Sequence, residues 1–161
     1  MKAKWLSLLV VATAAFSLFA KSSSKTFTYG DITLEPEDSL TFSLTDDLPE
    51  TINGMEVLSD YLPDGIDVEW TGKKFKTPKT TKVKYNKEDE DFSVKNDERD
   101  NYCGLKISVK KNGSVSGSFK VYLVKSAKKL KTVSAKVSGK LGGALRVTIK
   151  GAGGSYEATL E

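Results

Sequence analysis

The sequence predicts an all-β chain: a single antiparallel domain, a small β-barrel or a sandwich, with a C-terminal up-and-down meander. Three observations carry this. Apolar and polar residues alternate in short runs along most of the chain, as in "SLTFSLT" from Ser39 and "IDVEW" from Ile66. Gly, Pro, Asn and Asp bound those runs, which is the pattern of half-buried strands joined by turns. From Gly104 onward, consecutive runs are joined by loops of a few residues, which only antiparallel neighbours permit.

The first residues stand apart from that pattern. "MKAKWLSLLVVATAAFSLFAKSSSK" places Lys2 and Lys4 before an apolar run from Trp5 to Ala20. Small residues close the run, so residues 1–20 read as a secretory signal peptide cut after Ala20. The run is shorter than the roughly 20 apolar residues that span a bilayer. The expected product is secreted or periplasmic, with no stable membrane insertion after cleavage. Residues 21–161 are long enough for one domain with its own core. Cys103 is the only cysteine, so packing rather than an internal disulfide must hold that core. Its thiol reads as a small buried hydrophobe, or as a link to a second chain.

In the first half, "KTFTY" and "DITL" flank Gly30 and read as two strands. Leu40, Phe42 and Leu44 fall on one side of a third. "NGMEVLSDYL", around Met55 to Leu62, is the one candidate for a helical turn, ending before Pro63. Ile66, Val68 and Trp70 share a face, as do Val83 and Tyr85. Asn86 to Asn101 is dense in charge, with Phe92 and Val94 its only apolar residues, and reads as a solvated loop or weak strand.

The meander has five strands. Their inward residues are Leu105, Ile107 and Val109; then Val115, Gly117, Phe119, Val121 and Leu123; then Val133, Ala135 and Val137; then Leu145, Val147 and Ile149; then Tyr156, Ala158 and Leu160. Asn112-Gly113 is a strong hairpin signal, because a type I′ turn needs positive φ at both central residues. Gly142-Gly143 and Gly153-Gly154 answer the same need. Gly117, inside a strand, suggests a bulge or a bend.

Three stretches, "YLPDGIDVEWTGKKFKTPKTTKVKY", "GLKISVKKNGSVSGSFKVY" and "KKLKTVSAKVSG", carry a resemblance across Tyr61 to Gly139. They resemble a small lysine-rich β module at the C-termini of uncharacterised secreted bacterial proteins. The "LPDGI" stretch is also similar, more distantly, to bacterial immunoglobulin-like domains. The module continues with a Gly-Tyr-Gly strand and a Trp-Pro, where this chain has "LGGALRVTIKGAGGSYEATLE". The resemblance implies an exported β module, and it brings no catalytic residues with it.

Charge is split along the chain. The formal net charge is +4, yet 19 of the 21 acidic residues lie between Asp31 and Asp100. Asn101 to Tyr156 has no acid and carries 12 Lys and Arg. The chain thus divides into an acid-rich half, 25–100, and a basic meander, 101–161. Such asymmetry points to an anionic partner, or to two parts of one fold that attract each other.

Chemistry is mostly excluded. Without histidine there is no imidazole base, triad or metal ligand. One cysteine cannot build structural zinc. "GAGGS" at Gly151 joins two strands rather than a strand and a helix, so it reads as a hairpin loop. Asp64, Asp67 and Glu69 are acids near Trp70, but carboxylates in loops of so small a chain are more simply solvated. Asp60, Asp64 and Asp67, or Glu88 to Asp91, could offer oxygens to calcium, but neither stretch has the EF-hand spacing. The expectation is therefore a non-enzyme with no cofactor and no metal site.

Two binding features remain. Trp70, with Tyr61 and Tyr102, could form a flat platform for a sugar ring; the simpler reading places Trp70 in the core. Lys106, Lys120, Lys136 and Arg146, with Lys110 and Lys150, fall opposite the core on the meander. Together they would make one positive surface. Such a surface suits anionic polysaccharide or cell-surface glycan, with a strong salt dependence. Outward lysines also simply guard sheets against aggregation. Nucleic acid is not expected, because no aromatics interleave the lysines. The alternatives are an assembly or adhesion domain contacting another protein by its sheet edges, and a small-ligand barrel.

Overall fold

The structure, a computed structural model, describes residues 26–44, 47–72, 74–76, 82–94, 103–150 and 154–159. The proposed leader (residues 1–20), Tyr102, Leu160 and most of the "GAGGS" loop lie outside them. Fourteen strands follow in chain order. They are β1 (Phe27–Tyr29), β2 (Ile32–Leu34), β3 (Ser39–Phe42), β4 (Thr51–Ile52), β5 (Met55–Val57), β6 (Ile66–Trp70) and β7 (Lys74–Lys76). Then come β8 (Val83–Asn86), β9 (Asp91–Val94), β10 (Lys106–Val109), β11 (Ser114–Ser126), β12 (Lys129–Lys140), β13 (Ala144–Ile149) and β14 (Gly154–Thr159).

Ten of these form one antiparallel sheet, in the order β14-β13-β12-β11-β10-β7-β6-β3. The sheet curls into half a barrel. β11 is its spine. β12 pairs along almost its whole length, from Ser114↔Lys140 to Ser126↔Lys129. On its other side β10 takes the first part, Val115 to Ser118, and β5 takes Leu123 and Val124 near the end. β4 joins the sheet through β5.

The inner face is the core. Phe42, Val68, Trp70, Phe75, Leu105, Ile107, Phe119, Val121, Leu123, Ala135, Val137, Leu145, Val147 and Ile149 are all buried there. This is the inward set that alternation predicts, because successive strand residues point to opposite faces. The β1–β2 hairpin lies across one end of the core. It contributes Leu34, with Phe27 and Ile32 packed at the margin. The Phe27 ring sits 6.1 Å from that of Trp70. A Cβ on Gly113 would meet the Tyr29 ring, and one on Gly142 would meet Ile32. Both loop glycines therefore give room to this hairpin.

Three local expectations need correction. Gly117 is not a bulge: β11 keeps unbroken register with β10 and β12 there, and the register shift falls between Val124 and Ser126. Met55–Val57 is strand rather than helix. Asn53 and Gly54 both have positive φ (52° and 73°), so the I′-type turn closes the β4–β5 hairpin. Within this stretch, Ser59–Tyr61 makes a helical turn, of the 3-10 kind. At Asn112-Gly113 only Gly113 has positive φ. The Gly113 amide donates to the Lys110 carbonyl (2.8 Å), making a three-residue loop with glycine in the last position. Of the two readings of the charged stretch from Asn86, the strand is observed over Asp91–Val94, where β9 pairs with β8 as Val83↔Val94 and Tyr85↔Phe92. This hairpin buries Val83 and Val94 against Tyr122 on the outer face of β11, forming a second apolar cluster.

Candidate functional site

The outer face of the sheet is built from the residues that alternate with the core. On β10 these are Lys106 and Ser108, followed by Lys110. On β11 they are Ser114, Ser116, Ser118, Lys120 and Tyr122. On β12 they include Ser134, Lys136, Ser138 and Lys140, and on β13 Arg146 and Thr148, with Lys150 just beyond. Lys106, Lys110, Lys120, Lys136, Lys140, Arg146 and Lys150 are all exposed.

Register shows how they meet. Lys106 lies opposite Ser118, Ser118 opposite Lys136, and Lys136 opposite Thr148. One residue pair along, the order is Lys74, Ser108, Ser116, Ser138, Arg146 and Glu157. Next again, Ser114 faces Lys140, and the Lys110 amide donates to the Ser114 carbonyl (2.9 Å). At the other end Lys120 faces Ser134, whose carbonyl accepts from the Lys150 amide (3.2 Å). Lys106, Lys120, Lys136 and Arg146 thus share one face of four hydrogen-bonded strands.

The sequence split in charge becomes a spatial one on this same face. β6 carries Asp67 and Glu69 outward, and Thr41 on β3 donates across the strand pair to Asp67 (2.7 Å). Just beyond the two strands, Ser43 donates to Asp64 (3.1 Å). The sign changes between Glu69 on β6 and Lys74 on β7, which pairs with Ser108. It stays positive to β13 and ends at β14, where Arg146 meets Glu157 at 3.8 Å. That pair is 64% and 71% exposed, so it contributes little to stability. On the sheet itself the acidic strand β6 lies beside the basic strands, while the β8–β9 hairpin, also from the acid-rich half, packs on the outer face of β11 at Tyr122.

Trp70 and Tyr61 are placed elsewhere, and apart. Trp70 is 3% exposed, with its ring 4.9 Å from that of Phe75. Burial removes the flat face that a sugar would need, so the core reading of this residue is the one observed. Its Nε1 has no hydrogen-bond acceptor among the described residues. Tyr61 belongs to the second apolar cluster. Its hydroxyl donates to the Phe92 carbonyl (2.8 Å) and its ring meets Tyr122 edge-on at 6.1 Å. It fastens the β8–β9 hairpin to the sheet.

Cys103 is buried just before β10, its carbonyl accepting from the Lys120 amide (2.8 Å). Burial pushes its thiol up to about 11, against a weaker opposing pull from backbone hydrogen bonds. Such a thiol is a packing group rather than a nucleophile. Burial also raises the Tyr122 phenol, with the nearby Cys103 as a second cause.

Sequence reasoning missed two parts of the face. Lys140 continues the alternation Lys136, Ser138, Lys140, but sat in what read as the "SGKLGG" loop. The serines of β11 alternate with Val115, Gly117 and Phe119, a signal present in "SVSGSFK" and overlooked beside the lysines. No protein-family model matches this chain, nor does any curated protein or solved structure, so a functional reading rests on the chain's own geometry.

Proposed function

We propose that this chain is an exported, non-catalytic binding module whose basic sheet face contacts anionic polysaccharide or cell-surface glycan. One observation carries the reading: register gathers Lys106, Lys120, Lys136 and Arg146 onto a single exposed face spanning β10 to β13. Seven cations crowd that face, and their mutual repulsion is relieved when an anionic chain lies on it. Side chains such as Phe42, Phe75 and Phe119 fill the inside of the curled sheet, which supports a surface partner over a ligand held in a barrel. A glycan array probed with the purified protein tests the reading. Sulfated and uronate-bearing glycans are expected to bind and neutral ones to stay dark. Equal signal on neutral and anionic glycans overturns it.

A second reading, contact with another protein through a sheet edge, has its own support. β14 is six residues long and pairs with β13 on one side, ending the sheet order. Among the described residues no strand pairs with its other edge, which suits it to take an added strand. Light scattering over a concentration series tests this, and a constant monomer mass counts against it.

A further inference from the structure

The outer face is uneven in height as well as in charge. β11 presents three short serines in succession, Ser114, Ser116 and Ser118, before Lys120. The strands on either side present lysines level with the first and last of them. Lys110 and Lys140 flank Ser114, and Lys106 and Lys136 flank Ser118. Between those two pairs, Ser108 and Ser138 flank Ser116. The result is a lane floored by hydroxyls with a lysine at each corner. Adjacent strands lie about 4.8 Å apart, so the lane is about 10 Å wide between opposed lysine backbones. Four residues of strand separate the corners lengthwise, about 13 Å.

We infer that this lane is where the ligand binds, and that its occupant is a stretch of linear sulfated or uronate-bearing polysaccharide lying along β11. The inference rests on the glycan-binding reading above and deepens it. Direction follows from charge. A polyanion crossing the strands would run towards Glu69 on β6 at one side and Glu157 on β14 at the other. One lying along β11 finds Lys110, Lys111 and Lys140 at one end and Lys120 at the other, where the β8–β9 hairpin over Tyr122 closes the lane. The corners are too widely spaced for one sulfate or phosphate to reach, so they suit charges distributed along a chain. The floor selects the kind of chain. A serine hydroxyl both donates and accepts, which matches a sugar hydroxyl. A polyphosphate offers acceptors alone. Single-stranded nucleic acid would need aromatic rings for its bases, and the lane has none.

Binding of a heparin-derived octasaccharide and of inorganic polyphosphate, compared by calorimetry on the purified protein, tests the inference. Lys106→Gln with Lys140→Gln, at diagonal corners, is expected to weaken the octasaccharide about tenfold. Ser108→Ala, Ser116→Ala and Ser138→Ala together are expected to weaken it about tenfold and to weaken polyphosphate, which can use only the donor side of each hydroxyl, by less. Lys84→Gln with Lys131→Gln removes the same charge at exposed sites outside the lane and is expected to cost less than twofold. Thermal melts of each variant establish that the sheet is intact, as exposed positions allow. The lane is overturned if the serine variant binds the octasaccharide as wild type does. It is equally overturned if the outside pair weakens binding as much as the corner pair. If wild type binds no octasaccharide at all, the glycan reading itself falls, a result distinct from either of these.

Discussion

Gly117 packs beneath the main chain of Lys106 so closely that a Cβ on the glycine would strike the Lys106 carbonyl oxygen, with Ile107 Cα 3.2 Å away. The glycine is in register with Ile107, so the contact is part of the β10–β11 ladder. Elsewhere in a strand, replacing Gly by Ala stabilises by roughly 0.5–1 kcal/mol. Here the obstructing atoms are backbone and cannot turn aside. Gly117→Ala is expected to destabilise by about 1–3 kcal/mol, read as a lower thermal midpoint. An unchanged or raised midpoint would contradict the close packing.

Cys103 links stability to alkaline pH. Its folded pKa, about 11, lies above the ordinary thiol value of 9.0. The raised value means the folded state holds the thiol proton more tightly. That contribution is complete below pH 9 and is lost as pH rises from 9 to 11. The difference amounts to about 2–3 kcal/mol. The Tyr122 phenol, also raised, acts in the same direction. Urea midpoints should therefore fall steeply above pH 9, and Cys103→Ala should flatten that fall. An identical slope in the variant would show that the thiol is not the cause.

A hydrogen bond from Tyr61 to the β8–β9 hairpin can be removed by a single substitution. Tyr61→Phe keeps the ring against Tyr122 and deletes the hydroxyl that donates to Phe92. The expected cost is about 1 kcal/mol. It should appear as faster amide hydrogen exchange confined to 83–94, while β11 to β13 stay protected. Uniform acceleration across the chain would argue instead for a global effect.

The inner face was legible because alternation is the pleat itself: Leu145, Val147 and Ile149 fall inward by parity alone. The same parity placed Lys106, Lys120, Lys136 and Arg146 outward, so half of the candidate site could be read without a structure. What parity cannot supply is register. Only pairing reveals that Lys140 stands opposite Ser114, or that Ser108, Ser116 and Ser138 adjoin. The β8–β9 hairpin was hard to read for another reason. Its turn is a run of charge, and its apolar residues make sense only once Tyr122 is found on the outer face of β11. Asn53-Gly54 was legible and was passed over, because the apolar spacing beyond it also fits a helical turn.

The most direct measurement of the central claim is retention of the purified protein on an immobilised sulfated glycan across a salt series. Exposed cations act on a polyanion through interactions that salt screens. Wild type should be held at low salt and released steadily as salt rises. Lys120→Gln, Lys136→Gln and Arg146→Gln together should elute at much lower salt, with the fold intact by thermal melt. Retention that ignores salt, or a triple variant that elutes with wild type, would contradict the claim.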